Sequence, residues 1–549
     1  MSDGAGSLEI AHAAAGRPIA DVAADAGLRP DEVVPWGRAK AKVAAARVLE
    51  RVADRPQGKL VCVTAVTPTR FGEGKTTTAI GLTQGLGAIG RKAILCLREP
   101  SVGPVFGRKG GGAGGGRAQL VPMEDVNLHF TGDIHAIAAA NNLLASMLDA
   151  SLIHGNPLGV DPASITWRRT IDMSDRVLRR IEVGLDPGAG AFPRETGFDI
   201  AAASEVMAIL SVAADLPDLR RRLGAIIVAR DTAGGPVTAE ALRAAGAMTV
   251  LLRDALDPNL VQTLEGQPCL VHAGPFANIA HGNNSVIADR VALGLAEHVV
   301  TEAGFAADLG FEKFADIVCR TAGLAPSAAV VVAGVATLRH HGGGDLRAGA
   351  ANLARHVAIV RGFGVPCVVA VNRRAGDADD DLRLLCALGL EAGAHAAVVC
   401  DAFEHGGAGA AGLAEAVVAA CEQPSAFRLL YEDGASITAK LESVARRVYG
   451  AGAVEIAPAA AQRIAALEAE GFGALPVCIA KTPLSLSADP ALLGAPEGFT
   501  VPVRDVRVYA GAGWVVALCG DVQLMPGLPD GPVAEQIDVD GSGATVGLF

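Results

Sequence analysis

The chain has 549 residues, half of them hydrophobic and 19% charged, which excludes a disordered polymer. Its formal net charge is −12, so a global basic footprint for nucleic acid is absent. Glycine stands out at 67 residues, about 12% against a usual share of roughly 7%, and implies tight turns and close packing.

The N-terminal stretch MSDGAGSLEIAHAAAGRPIADVAADAG has no basic segment followed by an apolar run, so no secretory signal is read there. Short apolar runs then alternate with helical patterns. LVCVTAV (60–66), KAILCL (92–97), GAIIVAR (224–230), AMTVLL (247–252), AAVVVAG (328–334) and VPCVVAVN (365–372) read as buried strands. TTTAIGLTQGLGAIG and RVALGLAEHVVTEAG read as helices between them. The alternation predicts an α/β fold: a large P-loop domain with a mostly parallel sheet, plus two smaller αβ domains. The HHGGGDLRAGA break (340–350) and a change of pattern near 455 divide the chain at 1–345, 346–455 and 456–549, with a Gly-rich excursion at 107–122. The longest uncharged run, Thr321 to Leu338, is interrupted by Pro326 and Ser327, so it reads as a loop plus a strand and not as a membrane span. The ten cysteines are scattered through apolar runs without metal-knuckle spacing, as expected of buried reduced thiols in a cytoplasmic protein.

The strongest local signal is VCVTAVTPTRFGEGKTTTAIGL: a strand, a Gly-containing loop, and GKTT opening a helix. That is the context of a phosphate-binding loop. The candidate ATP-binding residues are Thr69, Arg70, Phe71, Gly72, Glu73, Gly74, Lys75, Thr76 and Thr77. Backbone amides from Thr69 to Thr76 would cradle phosphate oxygens at a positive helix terminus. Lys75 would contact the β/γ-phosphates, and the Thr76 hydroxyl would ligate Mg²⁺. Thr69 stands where such loops usually carry their first glycine. The KAILCLREP strand ends in Arg98, which in a doubly wound sheet would face the same crevice as Lys75. The run SVGPVFGRKGGGAGGGRAQ follows, with eight glycines among residues 103–116, bracketed by Arg108, Lys109 and Arg117. Linker and binding loop are both open readings of it. His129 and His135, six apart, do not share a helix face, so no metal site is read there; core hydrogen bonding is expected for His281.

Taken together, TPTRFGEGKTTT, CLREPSVGPVFGRKGGGAGGG, VPMEDVNLHFTGDIHAIAAANNLLA, DPASITWRRTIDMSDRVLR, PRETGFDIAAASEVMAIL, NLVQTLEGQPCLVHAGPFANIAHGNNSVIA and TEAGFAADLGFEKF closely resemble the formate–tetrahydrofolate ligase (formyltetrahydrofolate synthetase) family. The resemblance runs in order to the C-terminal MPGLP and GLF. It implies that ATP, formate and tetrahydrofolate give ADP, phosphate and 10-formyltetrahydrofolate through formyl phosphate. It further implies catalytic roles for Lys75 and Arg98, activation by K⁺ or NH₄⁺ with Glu99 as the cation candidate, a homotetramer, and tetrahydrofolate that can carry a polyglutamate tail. Neither nucleic acid nor membrane is an expected partner. For folate, Phe305, Arg374 and Phe403 match pocket positions. Arg374 stands where the family has phenylalanine and Phe403 where it usually has tryptophan. Gly112 and Arg117 replace a usual Ala and Tyr, and the run holding Gly334, Ala336 and Thr337 also departs from the pattern. Two other readings remain: a diverged P-loop homologue that forms an acyl phosphate with weak folate use, and a P-loop switch ATPase. The latter would carry a second lysine near the loop start, where TPTRF offers only Arg70.

Overall fold

The computed structural model describes residues 6–14, 16–107, 111–186, 193–520 and 522–548. Arg108 and Lys109 lie outside them. A large mixed sheet dominates. Its path runs Val33–Trp36, Lys40–Val43, Asn259–Thr263, Pro268–Val271, Ala93–Leu97, His298–Glu302, Lys59–Ala65, Ala328–Ala333, Cys367–Asn372 and Ala396–Cys400. From Pro268–Val271 to the last strand every neighbouring pair is parallel. These strands are Val/Ala/Leu-rich and almost wholly buried, as parallel strands covered by helices on both faces must be.

The sheet does not break at 345. Strands 367–372 and 396–400 are hydrogen-bonded onto the strand 328–333 edge and continue it. The glycine-rich turn at 342–344 joins helices Val335–His341 and Leu346–Gly362. Toward the C-terminus the sheets are small: Ala453–Ile456 pairs with Thr500–Val503, and Trp514–Leu518 pairs with Val477–Ala480 and Asp505–Tyr509.

Two predicted elements differ. The run read as strand 247–252 lies in helix Ala245–Leu252. Short apolar runs fit either period, and here Ala245, Met248 and Leu252 bury one face while Val250 and Leu251 are exposed. The helix read over 290–304 stops at Leu293, and His298–Glu302 is a strand. Its β-branched Val299, Val300 and Thr301 fill a slot between two parallel neighbours. Strand 224–230 forms only at Ile227–Arg230, in a two-stranded pair away from the large sheet.

Helix Lys75–Ala88 packs on helix Ala402–Cys421 through glycine. A Cβ on Gly81 would come 2.2 Å from Ala402 Cβ, so only glycine permits this approach. Among the described residues one helix, Asp133–Ile153, is long and apolar enough to cross a membrane by length and composition. Its Ile137, Leu144 and Leu148 are buried in the protein's own core, and Asp133 at its start is ion-paired to Lys42. All ten cysteines are free; all are buried but the half-buried Cys386.

The C-terminal hairpin docks through Glu205, whose buried Oε1 accepts from the amides of Gly511 and Ala512. Burial pushes this carboxyl from 4.5 up to about 7, with the two amides opposing. The folded state thus holds the proton that the unfolded chain releases above pH 4.5. Stability from this group is complete below that pH and is lost as pH rises to about 7. Glu205→Gln is expected to match the parent near pH 4.5 and to exceed it by up to about 3 kcal/mol near pH 8, read from denaturant midpoints.

Candidate functional site

The site forms where the parallel strands end. Glu302 closes strand His298–Glu302, which pairs with both Ala93–Leu97 and Lys59–Ala65. It therefore stands between Arg98, just after the first neighbour, and the 66–74 loop, just after the second. Its Oε2 accepts from Thr76 Oγ1 at 2.6 Å, and its Oε1 lies 3.7 Å from Arg98 Nη2. Arg98 also reaches Pro275 O with Nη1, at 3.4 Å. Lys75 opens the helix beside them. Burial pulls its ammonium below the usual lysine range; Glu302 opposes this, Arg98 adds to it, and Glu73 opposes it again.

The loop is held from within. Glu73 is buried; its Oε1 accepts from the Thr69 amide at 2.8 Å and the Thr69 hydroxyl at 3.2 Å. Thr337 Oγ1 donates to Glu73 Oε2. The Glu73 side chain is thus a staple, and the Thr69 amide is already bonded. The expectation of open amides from Thr69 onward narrows to those nearer the helix start, which lack intrahelical acceptors. Gly74 sits at φ 73°, and a Cβ there would meet Asn372 Nδ2 at 2.3 Å. Asn372, ending strand Cys367–Asn372, donates Nδ2 to Glu73 O at 3.1 Å.

Beside the loop lies a cavity of about 550 Å³, lined among others by Phe71, Gly72, Thr77, Arg374 and Phe403. The predicted ring-stacking pair, Arg374 and Phe403, is therefore brought to one cavity beside the 66–74 loop. Phe305 is not part of this lining; it follows strand 298–302, at φ 57°. Phe403 is 45% exposed and so available to a flat ligand. The glycine-rich run supports it: the Arg117 amide donates to Phe403 O at 2.8 Å, and a Cβ on Gly116 would strike that oxygen at 2.3 Å. In its described part, 111–116, the run is backing for the cavity wall. Arg70 and Phe71 are exposed, with the Arg70 guanidinium 5.1 Å from the Phe71 ring centre.

Glu99 follows Arg98 after strand Ala93–Leu97. Its backbone amide donates to Ala273 O, and its buried Oε2 has no hydrogen-bond partner. Burial, then Asp133, push its carboxyl well above the usual range, with Lys42 opposing. His129 and His135 are exposed, whereas His281 is buried. Its Nδ1 accepts from the Asn283 amide, so Nε2 carries the hydrogen bonded to Ser211 Oγ, and burial lowers its pKa to about 3. It is a neutral core imidazole. A second cavity, of about 1100 Å³, is lined by arginines already paired: Arg168 with Asp199, Arg180 with Glu195, Arg230 with Glu470 and Arg463 with Asp505.

Glu302 is the residue that sequence reasoning passed over. Its segment, TEAGF, was visible, but its place between two other strands is not written in local sequence. A carboxylate at the end of a buried apolar strand was the available signal.

Thr76 and Glu302 offer Mg²⁺ two oxygen donors, the ligand type and small number it takes from protein when phosphates supply the rest. The unpartnered Glu99 Oε2 likewise fits a cation.

The sequence model of the formate–tetrahydrofolate ligase family matches residues 5–549. The chain belongs to this family. It is 53% identical to the formate–tetrahydrofolate ligase of Desulforamulus reducens over 99% of both chains. It is 54% identical to that of Paracoccus denitrificans, again over 99% of both, and 55% identical to that of Acidiphilium cryptum over 99% of this chain and all of the relative. The family membership makes this chain a ligase.

Proposed function

We propose that the protein joins formate to tetrahydrofolate at the expense of ATP, through formyl phosphate, at the strand ends around Lys75. The observation that carries this reading is the convergence of Lys75, Thr76, Glu302 and Arg98 beside a cavity lined by Arg374 and Phe403. A phosphate site and a flat-ring site thus share one crevice.

In the first step a formate oxygen attacks the γ-phosphorus and the bond to the ADP oxygen breaks. Charge spreads over the transferring phosphoryl oxygens. Lys75 and the helix-start amides meet that charge from one side and Arg98 from the other. An arriving triphosphate brings negative charge to Lys75 and restores its hold on the proton. Mg²⁺, held by Thr76 and Glu302, would neutralise phosphate charge when bound. Arg98 then holds formyl phosphate while N10 of the folate attacks the formyl carbon; the C–O bond breaks, and phosphate leaves with the shared oxygen and takes up the proton that N10 loses. Formate is itself the nucleophile, so no activating Ser–His–Asp set is needed. The pterin ring stacks between Phe403 and the Arg374 guanidinium, and Phe305 contributes from the neighbouring strand end. A monovalent cation, K⁺ or NH₄⁺, sits at Glu99. The working form is a cytoplasmic homotetramer, and its folate can carry a polyglutamate tail.

Incubation with ATP, formate, tetrahydrofolate, Mg²⁺ and K⁺ is expected to yield 10-formyltetrahydrofolate and ADP in equal amounts, with no product when any one substrate is omitted. ADP release indifferent to folate would favour the acyl-phosphate or switch reading instead.

A further inference from the structure

Arg374 stands between the ring cavity and the phosphate loop. Its Nη2 donates to Gly72 O. Its own amide donates to Asp377 Oδ2 at 2.9 Å, which fixes the turn that presents it. From the same strand end, Asn372 holds Glu73 O. Two successive carbonyls of the phosphate loop are thus gripped by one short segment, 372–374. Glu73 and Thr337 grip the loop from its other face.

A guanidinium offers two separate contacts: a fork of in-plane N–H donors and a flat face that stacks on rings. In Arg374 the edge is already engaged on Gly72, and the residue lines the same cavity as Phe403. A phenylalanine in its place would supply a face and no edge. The edge has an electrostatic consequence. A cation on the Gly72 carbonyl polarises the Gly72–Glu73 peptide and makes its N–H, at Glu73, a stronger donor to an anion. That amide lies in the stretch leading into the helix start.

We propose that Arg374 is a positioning residue for the phosphate loop: its edge holds and polarises the Gly72–Glu73 peptide for phosphate, while the same side chain forms a wall of the ring pocket. This rests on the reading of 66–77 as the phosphate site. It assigns to one residue a role in binding phosphate that a stacking residue does not have.

The test uses a ringless probe. Calorimetric titration of the full-length protein with Mg-tripolyphosphate, and separately with tetrahydrofolate, compares the parent with Arg374→Phe and Arg374→Lys. Arg374→Phe keeps a flat face and loses the edge. It is expected to bind tripolyphosphate about tenfold more weakly, the value of one charge-assisted hydrogen bond, and tetrahydrofolate within about threefold of the parent. Arg374→Lys, with charge but no planar fork, recovers part of the tripolyphosphate affinity. Unchanged tripolyphosphate binding in Arg374→Phe overturns the proposal. So does a loss confined to tetrahydrofolate, or an equal loss of both, which a general loosening of the loop would give. A parent protein that binds no tripolyphosphate overturns the phosphate-site reading itself, and the proposal with it.

Discussion

Lys75→Ala is expected to lower turnover by about 10³-fold while leaving tetrahydrofolate affinity within about threefold. Lys75 begins the helix that follows the loop, and no other lysine adjoins that helix start in sequence. Burial pulls its ammonium below the usual lysine range, with Glu302 opposing this and Arg98 adding to it. In the proposed reaction a fixed charge there would act on the transferring phosphoryl group with little competition from water. Removing it leaves Arg98 and the backbone amides as the remaining positive groups. A loss of one preorganised charge of this kind costs about 3–4 kcal/mol of transition-state stabilisation. The ring cavity, by contrast, is lined by Phe71, Arg374 and Phe403, and Lys75 is not among its lining residues. Steady-state rates paired with folate titration separate the two effects. A variant that turns over at the parent rate would remove Lys75 from the chemistry.

Glu302→Gln is expected to cost about 10²-fold in turnover and to raise the Mg²⁺ concentration needed for half-maximal rate. The carboxylate is shared: one oxygen takes the Thr76 hydroxyl and the other faces Arg98. A glutamine has the same shape, but one end becomes an N–H donor. If that end turns to Arg98, two donors meet. If it turns to Thr76, the hydroxyl loses its acceptor. Either way a charge that balances Lys75 and Arg98 is gone, and a Mg²⁺ held there would lose its anionic protein ligand. A Mg²⁺ titration of the variant checks this. Loss of rate with no change in the Mg²⁺ requirement would confine Glu302 to orienting Arg98.

How much of this was legible in the sequence follows from where each residue sits. The loop, its lysine and its threonine are contiguous, and a strand–loop–helix is a local object. Arg98 was placed in the crevice by a topological rule, that ligands gather at carboxyl ends of parallel strands. Glu302 needs more. Its strand is far along the chain from 59–65, and only the sheet order puts it between that strand and 93–97. The inward turn of Glu73 was hidden for the same reason, since Thr337 comes from beyond a neighbouring strand. The opening excess of glycine also changes meaning. Gly81 and Gly116 serve close approach of helix 402–421 and of Phe403, so part of that excess positions the cavity wall and not the phosphate itself. The strand and helix assignments that changed, at 247–252 and 298–302, were apolar runs too short for periodicity to decide.

In the proposed reaction formate attacks phosphorus before its carbon meets the folate. Formate labelled with ¹⁸O at both oxygens tests it most directly. In the account given above, one formate oxygen bridges carbon and phosphorus and leaves with phosphate. Mass spectrometry of the products is then expected to find one ¹⁸O in each phosphate released and one retained in the formyl group of 10-formyltetrahydrofolate. Unlabelled phosphate, formed alongside the formylated product, would contradict it.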